Sequence, residues 1–216
     1  MEPKKQIVEL HNGVWELALK LWRTLILCTI LCAVIVFSLS GIMVSGTWGL
    51  LLTQLICFIV MGFTIYSQMW SVGDRDANFI HFGRMQRDIW KSLKIGLIAL
   101  IPGFVTNIPL ALSKAGVFGN FDFLPFYRVL QAPIWPLINL IHPYGAIPHE
   151  AVAATELFEG SPATAGMTWG QLVLTAIIPL VYLIFVVAGY ELGIRRISVG
   201  FKLVYEKNDK DKGKKK

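Results

Sequence analysis

The sequence predicts an all-α membrane protein with four transmembrane helices in two hairpins and with a re-entrant or interfacial outer segment. Composition is the first reason. Hydrophobic residues make up 55% of the 216 residues and charged residues only 16%, whereas soluble domains carry about a quarter charged residues. Long uncharged stretches are the second reason, because a charge left in hydrocarbon costs free energy. These gaps in the charge pattern predict where the chain crosses the membrane.

The first uncharged stretch runs from residue 24 to residue 73. It is too long for one span, since a transmembrane helix needs about 20 apolar residues. Its middle, residues 40–47, is small and contains glycine, so the stretch is typical of a helical hairpin. We therefore expect helices at about 24–44 and 48–69.

Two further uncharged stretches predict the third and fourth spans. The third span, at about 95–113, is bracketed by Lys94 and Lys114, and the fourth, at about 171–192, lies mostly within the uncharged residues 160–190. Three prolines interrupt these helices: Pro102 and Pro109 in the third and Pro179 in the fourth. Each frees a backbone carbonyl that a neighbour, water or a ligand must satisfy.

The distribution of basic residues predicts the orientation. All but two of the 20 Lys and Arg residues precede the first span, lie between the second and third, or follow the fourth; the exceptions are Lys114 and Arg128. Cytoplasmic loops carry such an excess, so both termini are expected in the cytoplasm. The chain then divides into an amphipathic N-terminus at 1–23, a bundle at 24–193 and a basic tail at 194–216.

The outer segment, residues 114–170, holds another uncharged stretch at 129–149 that proline interrupts repeatedly. A true span there would place the basic tail outside. We therefore predict that 123–141 is either a re-entrant pair of half-helices or a helix lying flat at the interface. A re-entrant piece would be a natural place for a cavity, because irregular backbone at membrane depth must be covered by protein or face water.

The link before the third span shows helical periodicity. Apolar residues recur at spacings of three and four, and so do basic residues on another face. The apolar set is Phe82, Met85, Ile89 and Leu93. The basic set is Arg84, Arg87, Lys91 and Lys94. The pattern predicts an amphipathic helix whose basic face contacts anionic headgroups, at about 1 kcal/mol for each cation.

Short matches suggest an internal repeat. Trp22-Arg23-Thr24-Leu25 resembles Trp90-Lys91-Ser92-Leu93 in pattern, and Thr47-Trp48-Gly49 resembles Thr168-Trp169-Gly170. The motif Ser-Val-Gly also occurs at both 71–73 and 198–200. If the repeat is real, the two hairpins are related by an axis along the membrane normal. The alternative is that Trp and basic residues simply mark interfaces.

Polar residues inside the predicted spans are few. Gln54 and Asn107 are expected either to hydrogen-bond between helices, at about 1 kcal/mol, or, with Pro109, to line a pathway beside the broken third helix. No acid or base lies in the middle of a span, and Glu191 is the one acid near a span, with Arg195 as its expected partner. Cys28, Cys32 and Cys57 are interpreted as small packing residues.

An outer polar cluster is the remaining candidate for chemistry. His142, His149 and Glu150 lie close together in the sequence, and imidazole with carboxylate suits Zn²⁺. Their spacing matches no zinc motif, and neither a Walker loop nor a dinucleotide fingerprint occurs. We therefore assign no catalytic residue, no metal and no cofactor.

Three functional hypotheses follow. The first is a non-enzymatic membrane component, an accessory subunit or scaffold, with a homo-oligomer or membrane-protein partner joined through helix faces bearing Gly and Ala. The second is a small transporter or channel whose pathway runs beside the third helix. The third and weakest is a membrane-embedded hydrolase or transferase that uses the outer polar cluster. Anionic lipid on the cytoplasmic side is an expected partner in each case, and nucleic acid is not.

Overall fold

The computed structural model describes residues 13–149 and 163–197, and this part of the chain is helical, with one isolated bridge between His149 and Thr164. Four helical stretches are long and apolar enough to cross a membrane: Val14–Ser38, Thr47–His81, Lys91–Lys114 and Trp169–Ile194. The all-helical class and the four candidate spans are therefore confirmed. Residues 198–216 of the predicted basic tail (194–216), residues 1–12 of the predicted amphipathic N-terminus (1–23) and Glu150 lie outside the described residues.

Helix α1 (Val14–Ser38) begins well before the predicted start at 24. The reason is an apolar stripe, Leu17, Ala18 and Leu21, which is buried against the bundle and extends the helix. A short helix α2 (Ser40–Val44) then turns the chain towards α3. Gly46 precedes α3 with φ +118, a conformation that glycine adopts at little cost.

Helix α3 (Thr47–His81) is much longer than the predicted 48–69. Just after its end, Gly83 has φ +65, and the Arg84 amide donates to the Phe79 carbonyl at 2.9 Å. This is the Schellman arrangement that closes helices. The amphipathic helix predicted for the link is wrong, because the chain turns from 82 to 90 instead.

Helices α4 (Lys91–Val105) and α5 (Asn107–Lys114) form the third candidate span, with a break at Thr106. Pro109 explains the break, since a proline ring clashes with the carbonyl four residues earlier, here that of Val105. The fourth candidate span consists of α8 (Trp169–Ile177), a 3-10 turn (Ile178–Leu180) and α9 (Val181–Ile194). Its 3-10 turn contains Pro179.

The described part of the outer segment, residues 114–149 and 163–170, folds back onto the bundle. It contains α6 (Leu124–Leu130), a 3-10 turn (Ala132–Ile134) and α7 (Trp135–Ile141), each with a proline in one of its first two positions. The 3-10 turn packs against α1 and α3, and α7 packs against α3. Its largest buried side chains are fully enclosed: Leu124, Tyr127, Ile134 and Ile138. The outer segment thus forms part of the core.

Helices α3 and α9 pack closely against each other through glycines. A Cβ on Gly73 would overlap the Tyr190 carbonyl, and one on Gly193 would overlap the Trp70 carbonyl. Gly189 lies one turn before Gly193 and would place its Cβ 2.8 Å from the Tyr66 carbonyl oxygen. Small residues four apart let membrane helices pack backbone to backbone, so the C-terminal halves of α3 and α9 are held together by this contact.

Candidate functional site

Gln54 joins helix α3 to the outer segment. Its side-chain Nε2 donates to the Pro133 carbonyl at 2.9 Å, and its Oε1 accepts from the Leu137 amide at 3.1 Å. The side chain is buried. Both backbone groups lie beside the prolines of the outer segment, where regular helix pairing is lost. Of the two expectations for Gln54, hydrogen bonding between segments is therefore the one that the geometry favours.

Gln131 makes the corresponding contact to the third candidate span. Its Nε2 donates to the Gly103 carbonyl at 3.1 Å and to Thr106 Oγ1 at 3.3 Å. Thr106 Oγ1 also donates to the Gly103 carbonyl, at 2.6 Å. The outer segment thus pairs the Gly103 carbonyl, which lies three residues before the break at Thr106. Sequence reasoning missed Gln131, although an amide side chain in a proline-rich apolar stretch was a usable signal.

We expect loss of the Gln54 amide to loosen the outer segment. Gln54→Leu would leave the Pro133 carbonyl and the Leu137 amide buried without partners, and each such group costs about 1–3 kcal/mol. Hydrogen exchange of the Leu137 amide, followed by mass spectrometry, should speed up by roughly tenfold or more. Gln86→Leu is the matched control, because Gln86 is exposed in the link; equal exchange in both variants would contradict the role of Gln54.

Asn107 and Pro109, the other predicted pathway residues, lie at the start of α5. Asn107 Oδ1 is buried and has no hydrogen-bond partner within residues 13–149 and 163–197. Pro109 acts on the backbone by separating α5 from α4. Asn107 and Pro109 thus lie beside the helix break at Thr106, where Gln131 of the outer segment binds. Gln54 contacts the same segment from α3.

An apolar groove opens beside this break. Its volume is about 510 Å³, and we name it the lateral groove. One wall is a stripe of α1 from Trp22 to Phe37; the other is formed by α4 around Pro102 and Gly103 and by 129–133 of the outer segment. Tyr182 of α9 forms part of its lining, and its hydroxyl is buried without a hydrogen-bond partner in the part of the chain that the structure describes.

The outer polar cluster is partly described. His142 Nε2 lies 2.8 Å from the Gly145 carbonyl, and a Cβ on Gly145 would lie 2.7 Å from His149 Nε2. The two imidazoles thus flank the same glycine. His149 Nε2 is 3.6 Å from Asp122 Oδ2, which also accepts from the Ala146 amide at 2.9 Å. No three His, Cys, Asp or Glu side chains among the described residues are placed to hold a metal ion.

Arg128 holds the same region together. One guanidinium nitrogen donates to the carbonyls of His142 and Tyr144, at 2.9 Å each. Burial lowers the pKa of Arg128, and the nearby Asp122 carboxylate opposes that shift. Through these two hydrogen bonds the guanidinium stabilises the backbone of the loop after α7.

A buried ion pair lies near the C-terminal ends of α3 and α9, and sequence reasoning did not foresee it. Lys91 Nζ donates to Asp76 Oδ2 at 2.7 Å, and the Tyr190 hydroxyl donates to the same oxygen at 2.9 Å. The two charged residues are 3% and 1% exposed. Asp76 Oδ1 is buried without a partner among the described residues. Three helices, α3, α4 and α9, meet at this one carboxylate.

The four basic residues predicted to contact lipid therefore have different surroundings. The prediction that Lys91 contacts lipid headgroups is wrong, because its ammonium group is buried against Asp76. Arg84, Arg87 and Lys94 are exposed, and their contact with anionic lipid stays a prediction. Arg87 pairs with Glu191 at 2.8 Å, in place of the expected Glu191–Arg195 pair. Lys94, with the Trp90 amide, holds the pKa of Asp88 below its ordinary value.

The three cysteines are free and buried. Cys32 and Cys57 face each other between α1 and α3, with the Cys32 sulfur 4.0 Å from the Cys57 carbonyl oxygen. They belong to a small apolar cluster with Val36 and Ala132. This surrounding is in keeping with their interpretation as packing residues.

The class of protein that this geometry defines is a helical bundle with four candidate membrane spans. No family model matches the chain, and neither a curated protein nor a solved structure was found to resemble it. Its function must therefore be inferred from its own residues.

Proposed function

We propose that the chain is a multi-pass membrane protein that acts as a non-enzymatic accessory or scaffold component. Both ends face the cytoplasm, and the outer segment is re-entrant. In this proposal the protein works through contacts along its sides, with lipid and with neighbouring membrane proteins. The bias of basic residues supports the orientation.

The single observation that carries the proposal is the anchored outer segment. Gln54 and Gln131 tie it to α3 and α4, and its Leu124, Tyr127, Ile134 and Ile138 are completely buried. A segment held by buried amides and packed side chains fills the outer half of the bundle. The lateral surfaces, including the exposed face of α1, remain for interaction.

The sequence predicted that partners bind helix faces bearing Gly and Ala, and three of the glycines need a different assignment. Gly73, Gly189 and Gly193 contact α3 or α9 inside the chain, so they are not free for a partner. The proposal therefore places partner contacts on the exposed apolar side chains of α1 outside the lateral groove, such as Leu19 and Leu27.

Reporter fusions at residue 120 and at the C-terminus test the topology. We expect the fusion at 120 to report the outer side and the C-terminal fusion to report the cytoplasm, because most cations flank the inner ends of the spans. A finding that both fusions lie on the same side would refute the proposal. Purification in mild detergent should also yield a complex or a self-associated form; a monomer without any companion protein counts against a scaffold role.

A small transporter is the second candidate, and the unpartnered Oδ1 of Asn107 favours it. Such a polar atom beside a broken helix suits a site that water or cargo reaches. Asn107→Cys in a variant lacking Cys28, Cys32 and Cys57 would then react with a polar thiol reagent. Ile89→Cys in the exposed link and Ile101→Cys on an exposed apolar face are the reactive and protected controls. Complete protection at 107 from both sides removes this candidate.

A further inference from the structure

The length of the lateral groove limits which ligands fit into it. Its α1 wall runs from Trp22 to Phe37, which is about 22 Å along a helix. One leaflet of the hydrocarbon core is about 15 Å thick. The groove is therefore long enough to hold an extended chain that crosses one leaflet.

The shape of the groove favours a thin ligand. It passes between α1 and α4 and reaches Tyr182 on α9, which is 3% exposed. A partner helix with its side chains is about 10–12 Å across, too wide to reach a residue enclosed behind two helices. A hydrocarbon chain has the width of single side chains and no polar groups to satisfy, so it fits both the depth and the apolar lining.

Charge is arranged at one end of the groove. Arg23 is exposed and follows Trp22, the groove residue nearest the start of α1. At 100° per residue, Arg23 stands in line with Ile30 and Val34, two residues of the groove wall. In the proposed orientation this end meets the cytoplasmic headgroup layer, where Trp and Arg side chains suit a lipid phosphate.

We propose that the lateral groove binds one acyl chain of an anionic glycerophospholipid of the cytoplasmic leaflet, with its phosphate at Arg23. The binding is non-covalent and deepens the proposed function, on whose orientation it rests. The groove lining is mostly apolar, and two of its polar members, Gln131 and Thr106, already hydrogen-bond to each other. The lipid would thereby become part of the surface that α1 presents to neighbouring proteins.

Native mass spectrometry of the full chain in mild detergent, with added phosphatidylglycerol as the probe, tests the proposal. The wild-type chain should retain one lipid. Ala33→Trp fills the groove from α1, and the retained fraction should fall about tenfold, which corresponds to the loss of roughly two buried methylene groups. Leu31→Trp is the matched control, because Leu31 is 50% exposed on the same helix and does not line the groove.

Gly103→Leu fills the groove from the opposite wall. It tests the same prediction independently if Ala33→Trp does not fold. A Cβ at Gly103 meets only Gln131 Nε2, at 3.4 Å, so the backbone has room for a side chain. Arg23→Gln should abolish the preference for phosphatidylglycerol over phosphatidylcholine. Circular dichroism should show the same helical content in all four variants.

Three results would overturn the proposal. Equal lipid retention by wild type, Ala33→Trp and Gly103→Leu would show annular lipid only. Loss of lipid in Leu31→Trp to the same extent would show a non-specific effect of bulk on α1. A photocrosslinker at residue 33 that captures a protein helix in native membranes would assign the groove to a partner. If the reporter fusions give the expected sides in these cases, the topology stands and the lipid site alone is lost.

Discussion

The substitution Gly193→Leu is expected to destabilise the bundle by about 3 kcal/mol, the upper part of the range for overpacked sites. A Cβ at this position would overlap the Trp70 carbonyl, and the Asp74 amide nitrogen would lie 3.0 Å from it. Both obstacles are backbone, so α3 and α9 must separate. Thermal unfolding in detergent, followed by tryptophan fluorescence, should shift downward by roughly 10 °C.

Gly170→Leu is the matched control for that prediction. Gly170 is also helical, in α8, but a Cβ there meets nothing within 4 Å. Leucine is a better helix former than glycine by up to about 1 kcal/mol, so the melting temperature should stay constant or rise slightly. A similar loss of stability in both variants would mean that the close approach of α3 and α9 does not stabilise this part of the bundle.

The substitution Lys91→Met is expected to cost about 3–5 kcal/mol, the range measured when one partner of a buried pair is removed. It leaves the Asp76 carboxylate enclosed, with the Tyr190 hydroxyl as its remaining donor. The double variant Asp76→Leu/Lys91→Met should recover most of the lost stability, because apolar side chains often replace a buried ion pair at little cost. The same thermal unfolding measurement separates the two variants.

Lys94→Met provides the comparison on the surface. Lys94 pairs with Asp88 at 3.0 Å, and both side chains are largely exposed, so the pair contributes little to stability. We expect its melting temperature to stay close to that of the wild type. If Lys91→Met and Lys94→Met unfold at the same temperature, or if the double variant is less stable than Lys91→Met, the buried pair is not a stabilising centre.

The sequence predicted the number of candidate spans because long uncharged stretches reflect a local requirement, the exclusion of charge from hydrocarbon. The helix ends were less predictable. Residues 70–81 carry Asp74, Arg75 and Asp76, which suggested an aqueous link, yet they continue α3. Burial of Asp76 depends on Lys91 and Tyr190, and the Tyr190 partner is distant in the chain.

The candidate site shows the same division. Pro109 and the proline-rich outer segment indicated broken helices, since the effect of proline acts within one turn. The same expectation was wrong for Pro102, which lies inside the continuous helix α4. The partners that satisfy the freed backbone groups were decided by the fold: Gln131 reaches Gly103, and Gln54 reaches Pro133 and Leu137.

By itself, then, the sequence of this protein determined where the chain is apolar enough to cross a membrane and where proline breaks its helices. Only the tertiary structure decided that Asp76 and Lys91 are buried together, that Gly73 and Gly193 lie against backbone, and that a groove opens beside α1. The physical reason is distance along the chain. Hydropathy and proline act over a few residues, whereas ion pairs, close helix contacts and grooves need segments that only folding brings together.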